Sequence, residues 1–277
     1  ITFVQPADKI FGAAAFAVSA TASSGLAVGI ASLTSTVCTV SAKTITLIAA
    51  GTCTLRATQG GNATFAAAAS VDRSFKVAKA DQAITFKLAA TAIYGGPKIT
   101  LAATATSKLA VVFTSKSAAI CIVAGNTLSV LAAGSCVVQA SQAGSANFNA
   151  APAVTGTLVV AKASQTTSFT LPASSTFGAA ALTLAATASS GLPVTFASTT
   201  PAICTVSAKT LKIVGAGSCV VRATQGGNGN YSAAPAVDRT LKIAKANQTI
   251  AFAALTARTF DAVPFAVGCD EEGAVAE

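Results

Sequence analysis

The chain has no histidine, no methionine and no tryptophan, and only two tyrosines in 277 residues. Imidazole is the side chain that does most acid–base work near neutral pH and ligates many transition metals, so its absence removes the commonest route to either chemistry. Carboxylates are almost as scarce. Nine Asp and Glu are present, and Asp270, Glu271, Glu272 and Glu277 stand in the last eight residues. Asp8, Asp72, Asp81, Asp238 and Asp261 are then too thinly spread for a calcium cage, which takes six to eight oxygens. With no paired acids and no nucleophile–base constellation, the expectation is a chain that is not an enzyme, with no catalytic residue, cofactor or metal. Long apolar runs are missing as well. No stretch of 18 or more apolar residues occurs, so no segment is expected to cross a bilayer as a helix. The chain opens without Met and without a signal peptide, inside a strand pattern, and the expectation is a mature or excised piece of something longer.

A formal net charge of +9 raises the question of nucleic acid. Only 10% of residues are charged, however, and the Lys and Arg are scattered along the chain. Nucleic-acid surfaces concentrate basic groups and usually add stacking aromatics, which are rare here, so no nucleic-acid partner is expected. The apolar fraction of 52% is rich in alanine, which buries little area per residue. Small units built this way gain from covalent cross-links, typically ~2–4 kcal/mol each.

What is present, above all, is a period. The stretch VCTVSAKTITLIAAGTCTLRATQ at 37–59 returns as ICIVAGNTLSVLAAGSCVVQASQ at 120–142 and as ICTVSAKTLKIVGAGSCVVRATQ at 203–225, displaced by 83 residues each time with no gap. Such self-similarity marks an array of like units. Within each copy, short alternating runs separated by turn formers predict strands: ITF at 1–3, AAFAVSATA at 14–22, PVTFAS at 193–198, and the triplet around each cysteine pair. An aromatic followed by a turn former recurs as Phe11-Gly12, Tyr94-Gly95, Phe177-Gly178 and Phe260-Asp261, where a positive φ or a close backbone approach is expected. The Gly/Asn-rich stretches 59–69, 142–152 and 225–235 are the longest without alternation, and Gln82, Gln165 and Gln248 mark seams with no flexible linker. The expected fold class is all-β, a tandem of β-sandwiches with seven to eight strands each, joined end to end. The units are 1–80, 81–163 and 164–246, with 247–277 a partial fourth repeat ending in an atypical tail.

SATASSGLAV, TASSGLPVTFASTTPAICTVS, VGAGSCVVRATQGGNGNYSAAPAV and the seam KANQTIAF closely resemble the bacterial immunoglobulin-like repeats of large surface and secreted proteins, over residues 1 to about 267. The resemblance implies an immunoglobulin-type sandwich, export to the bacterial surface or exterior, and a part as stalk, spacer or adhesin body. It carries over no ligand-binding residue. Beyond Gly268 the pattern breaks into Cys269-Asp-Glu-Glu-Gly-Ala-Val-Ala-Glu, which holds every Glu in the chain.

In an exported setting the even count and repetition of Cys38 and Cys53, Cys121 and Cys136, Cys204 and Cys219 read as one disulfide per unit. Buried free thiols and, across neighbouring units, zinc are the other readings of the same residues. Cys269 is left unpaired. Asn62, Asn230 and Asn247 open N-glycosylation triplets. Asp72-Arg73 and Asp238-Arg239 recur in the first and third units, where the second has Thr155-Gly156.

The functional expectation is a stiff extracellular stalk, spacer or filament whose main partner is itself. A second reading makes the chain an adhesin module whose Gly/Asn loops recognise a surface glycan or protein. A third has Ile250, Phe252, Leu255, Phe260 and Phe265 of the partial repeat completing a neighbouring chain by strand addition.

Overall fold

The structure, a computed structural model, describes residues 1–252. Among these residues every regular element is a strand. The chain forms two compact units, Ile1–Ala161 and Lys162–Glu277. The first contains two hydrophobic cores and the second contains one.

The first repeat shows how the sequence builds each sandwich. Its strands are β1 (Thr2–Phe3), β2 (Lys9–Ile10), β3 (Phe16–Ala17), β4 (Ala20–Thr21), β5 (Gly29–Ser32), β6 (Cys38–Ser41), β7 (Thr44–Leu47), β8 (Gly51–Gln59) and β9 (Ala68–Ala78). One sheet runs β2-β9-β8-β5, and the other is made of the pair β1-β4 and the triplet β3-β7-β6. Nine short segments amount to seven strands, because two strands are interrupted. The first leaves its antiparallel partner β4 after Phe3 and rejoins the opposite sheet as β2, parallel to β9. The second breaks between Ala17 and Ala20, so that β3 pairs with β7 and β4 with β1. Pro6, which has no amide hydrogen to give to a ladder, lies in the crossover, and Lys76 N donates to Asp8 Oδ1 at 2.7 Å on its far side.

Strand period fixes which side chains meet between the sheets. Along β8 the inward positions are Cys53, Leu55, Ala57 and Gln59, and along β9 they include Phe75 and Val77. Phe3, Ala20 and Ile45 face them from the other sheet. The second repeat carries the same core as Leu128, Val138, Leu158 and Val160, and the third as Leu211, Val221, Leu241 and Ile243. Gly12, Gly95 and Gly178 hold φ of 88°, 76° and 85° after their aromatic neighbours, a conformation that glycine adopts without a Cβ clash.

One disulfide lies within each core: Cys38–Cys53, Cys121–Cys136 and Cys204–Cys219, with Cα atoms 5.7, 5.7 and 5.6 Å apart. Cys38 opens β6 in one sheet and Cys53 belongs to β8 in the other, so the bond ties the two layers together. All six sulfurs belong to residues with 0% exposure.

Candidate functional site

Among the described residues, the polar residues buried as a whole are five glutamines: Gln59, Gln82, Gln142, Gln165 and Gln225. Burying an amide costs free energy unless its hydrogen bonds are replaced, so each must be held by definite partners. Gln142 directly follows the strand Gly134–Ser141, two positions past Ala140, the last of its inward residues Cys136, Val138 and Ala140. Its Oε1 accepts from Gly144 N at 2.6 Å and from Gln82 Nε2. Gln82 Nε2 also donates to Asn149 O at 2.6 Å, and Gln82 Oε1 accepts from Ser107 Oγ. The seam glutamine is thus sewn into the sandwich that follows it.

The backbone ahead of Gln82 is paired as well. Ala80 forms a parallel bridge with Phe148, its N donating to Asn147 O and its O accepting from Asn149 N, both at 2.9 Å. Lys79 Nζ donates to Ser145 O at 2.8 Å. Loop 142–152 also reaches the body of the first repeat. Asn147 Oδ1 accepts from Ala50 N at 2.9 Å, and the Phe148 ring meets Phe11 edge to face with centroids 5.5 Å apart. Gly144, at φ 86°, makes this loop possible, since a Cβ there would stand 2.5 Å from Phe148 O.

The same bonds recur 83 residues on. Gln165 Nε2 donates to Gln225 Oε1 and to Ser232 O at 2.7 Å, and Ser190 Oγ donates to Gln165 Oε1. Ala163 bridges Tyr231, with its N on Asn230 O and its O accepting from Ser232 N, each at 2.9 Å, and Lys162 Nζ donates to Asn228 O at 2.7 Å. A Lys-Ala-x-Gln segment gripped by a Gly/Asn loop is therefore a repeated structure. The sequence reading placed glycan or protein recognition on loops 59–69, 142–152 and 225–235. Two of them, 142–152 and 225–235, hold a seam.

Asp72 is paired with Arg56 across the β8–β9 ladder, Nη2 to Oδ2 at 2.8 Å and Nε to Oδ1 at 2.8 Å, and Asp238 with Arg222 in the same way. The adjacent arginines do other work: Arg73 Nε donates to Phe3 O at 2.9 Å and Arg239 Nε to Phe169 O at 3.1 Å. The hydrogen bonds from Arg56 and Arg222, helped by their charge, hold the Asp72 and Asp238 carboxyls below the usual carboxylate value against an opposing desolvation, and each arginine is raised in turn. Both pairs are open to solvent, where such bridges are worth little. Arg56 and Arg222 escaped the sequence reading because their partners lie 16 residues away, across a register that only the ladder reveals. The buried glutamines left a signal: a recurring polar residue two positions beyond the inward Ala57, Ala140 and Ala223.

Among the described residues no three His, Cys, Asp or Glu stand together as a metal site. Asn62 Oδ1 accepts from Thr64 N and Phe65 N, so this amide shapes its own loop. Ile250 and Phe252 are 75% and 67% exposed. Leu255, Phe260, Phe265 and Cys269 lie outside the described residues.

No family model matches the chain, and no curated protein matches it. Among solved structures, mouse cadherin-23 EC22-24 is similar at 15% identity and a TM-score of 0.32, covering 87% of this chain and 96% of that one. Mouse protocadherin-24 EC1-3 is similar at 15% identity and a TM-score of 0.36, covering 89% and 98%. The surface layer protein SbsC, domains 1-6, is similar at 15% identity and a TM-score of 0.27, covering 91% of this chain and 42% of that chain.

Proposed function

We propose that this chain is a structural segment of a bacterial extracellular or cell-surface protein: three immunoglobulin-like repeats, 1–80, 81–163 and 164–246, and the start of a fourth, serving as a stiff stalk, spacer or filament piece. The observation that carries this reading is the seam at Lys79–Gln82. Its linker gives its backbone and its glutamine to the loop of the next repeat, and the aromatic pair Phe11–Phe148 closes the gap beside it. A linker pinned at Lys79, Ala80 and Gln82, with Asn149 Nδ2 donating to Asp81 Oδ1 at 2.8 Å between them, has few conformations left, and bending at it requires several hydrogen bonds to open together. Buried disulfides inside each sandwich suit an oxidising exterior. The chemistry of a spacer is passive, which agrees with the scarcity of reactive side chains.

The test measures flexure directly. Spin labels on exposed positions of the first and second repeats of the full chain should give one narrow distance distribution by pulsed electron resonance. Phe148→Ala combined with Asn147→Ala should broaden it, leaving the thermal transition of each repeat nearly in place. A broad distribution in the unaltered chain would sink the spacer reading.

A further inference from the structure

The inside–outside alternation of the first strand slips in one repeat. The second repeat packs Phe86 and Leu88 against its core with Lys87 exposed between them, and the third does the same with Phe169 and Leu171 around Thr170. In the first repeat Phe3 is inside, but Val4 stands 70% exposed. Gln5, in the place of Leu88 and Leu171, is also exposed and turns its Nε2 to Ser74 O. Facing this segment from the second strand is Val18, which is half-buried where Leu101 and Leu184 are 3% and 1% exposed.

One leucine exchanged for an amide that turns to the backbone of β9, and another shortened to valine, leave room between segment 4–9 and the second strand. That room is a cleft of about 320 Å³ with Val4, Pro6, Phe16 and Val18 among its walls. It lies on the flank of the sandwich, between Phe3 in the core and Phe11 at the seam, where Gln5 and Asp8 bond to Ser74 O and Lys76 N of the same repeat. The cleft also has a cation that the other repeats lack at this place: Lys9 stands where they have Ala92 and Ser175. Lys9 Nζ is 4.8 Å from the centroid of the Phe16 ring. Among the described residues neither ion pair includes Lys9, and the adjacent Asp8 is directed to Lys76 N. Apolar walls with one unmatched ammonium suit an anion that has a small apolar body.

We infer that this cleft of the first repeat binds a small apolar carboxylate, an acid of about six carbons for a space of this size. The tail lies against Val4, Pro6 and Val18, in the space that leucines fill in the second and third repeats, and the carboxylate pairs with Lys9 Nζ. The ammonium makes the site selective for an acid over a neutral molecule of the same shape, and the missing leucines confine it to the first repeat. The inference stands apart from the spacer reading, since a flexible seam would leave the cleft as it is.

The test is titration of the isotope-labelled full chain with sodium hexanoate, followed by nuclear magnetic resonance, with hexanol as the neutral counterpart. Hexanoate should shift the amides of Ala7, Lys9, Ala17 and Val18 with a Kd of about 1 mM, the level expected for so few atoms. The corresponding amides of Ala90 and Leu101 in the second repeat, and of Ala173 and Leu184 in the third, should stay in place. Hexanol should bind at least tenfold more weakly, and Lys9→Ala should bring hexanoate down to the level of hexanol. Gln5→Leu with Val18→Leu installs the residues of the other two repeats; it should abolish the shifts while the first repeat melts no lower than in the parent, so that the loss is not unfolding. No shift at about 20 mM hexanoate overturns the inference. So do equal shifts in all three repeats, hexanol binding as well as hexanoate, or a leucine-filled variant that binds like the parent. An apolar peptide with a free carboxyl terminus that shifts these amides where hexanoate does not would also overturn it, and would mean a protein partner.

Discussion

Replacing one disulfide with a pair that fills the same space, Cys121→Ala with Cys136→Val, isolates what the covalent tie does. The bond closes a 15-residue span and joins the two sheets of the second repeat through residues with no exposure. Closing a loop of that size removes chain entropy from the unfolded state worth about 3 kcal/mol. For a unit of this length each kcal/mol moves the midpoint by about 4–8 °C, so the second repeat should melt about 12–24 °C lower. Hydrogen exchange read by mass spectrometry locates the effect. Amides of Val138 and Leu158 should lose about 3 kcal/mol of protection, while Leu55 in the first repeat and Leu241 in the third keep theirs. Because the sulfurs are buried, reduced glutathione without denaturant should leave the native disulfides intact over hours. A fall of less than about 3 °C in the second repeat, or an equal loss of protection in all three, would refute the reasoning that each tie stabilises its own sandwich.

Gly156→Ala should destabilise the second repeat by roughly 1–3 kcal/mol in chemical denaturation, because a Cβ there would stand 2.8 Å from Leu88 Cβ and 3.1 Å from Phe86 Cε1. Thr167→Val should raise the stability of the third repeat by about 1–3 kcal/mol, since Thr167 Oγ1 is buried without a hydrogen-bond partner; no change on calorimetry would count against that reading. Asp72 and Asp238 are depressed below the ordinary carboxylate value, so the stability they lend is present above the unfolded value near pH ~4 and lost as pH falls through the lower folded one. Carboxyl titration by nuclear magnetic resonance should show both shifts vanish in Arg56→Gln with Arg222→Gln.

Local pattern carried most of the sandwich. Alternation along residues 51–59 and 71–78 shows which side chains point inward, and the 83-residue recurrence of Phe3, Phe86 and Phe169 marks the first strand of each copy. Where contacts depend on parts distant in the chain, pattern was silent. The run at 14–22 reads as one strand, but its two ends serve different partners, β7 and β1, and only tertiary pairing breaks it. Nothing in the composition of loops 142–152 and 225–235 says that a segment 60 or more residues earlier will lie across them. Their glutamines were legible as a recurrence and illegible as a bond: the partner of Gln142 is Gln82, 60 positions back, and no helical or strand period links the two.

The seam also bears on how such a protein changes length over generations. Because Gln82 and Gln165 each stand 60 positions ahead of the amide that receives them, duplicating or deleting an 83-codon block of the repeat keeps that spacing at every seam, wherever the ends of the block fall. A block one codon longer or shorter would leave a buried amide unmatched at the scar. Unequal recombination in this register can therefore add or remove a bead without inventing an interface.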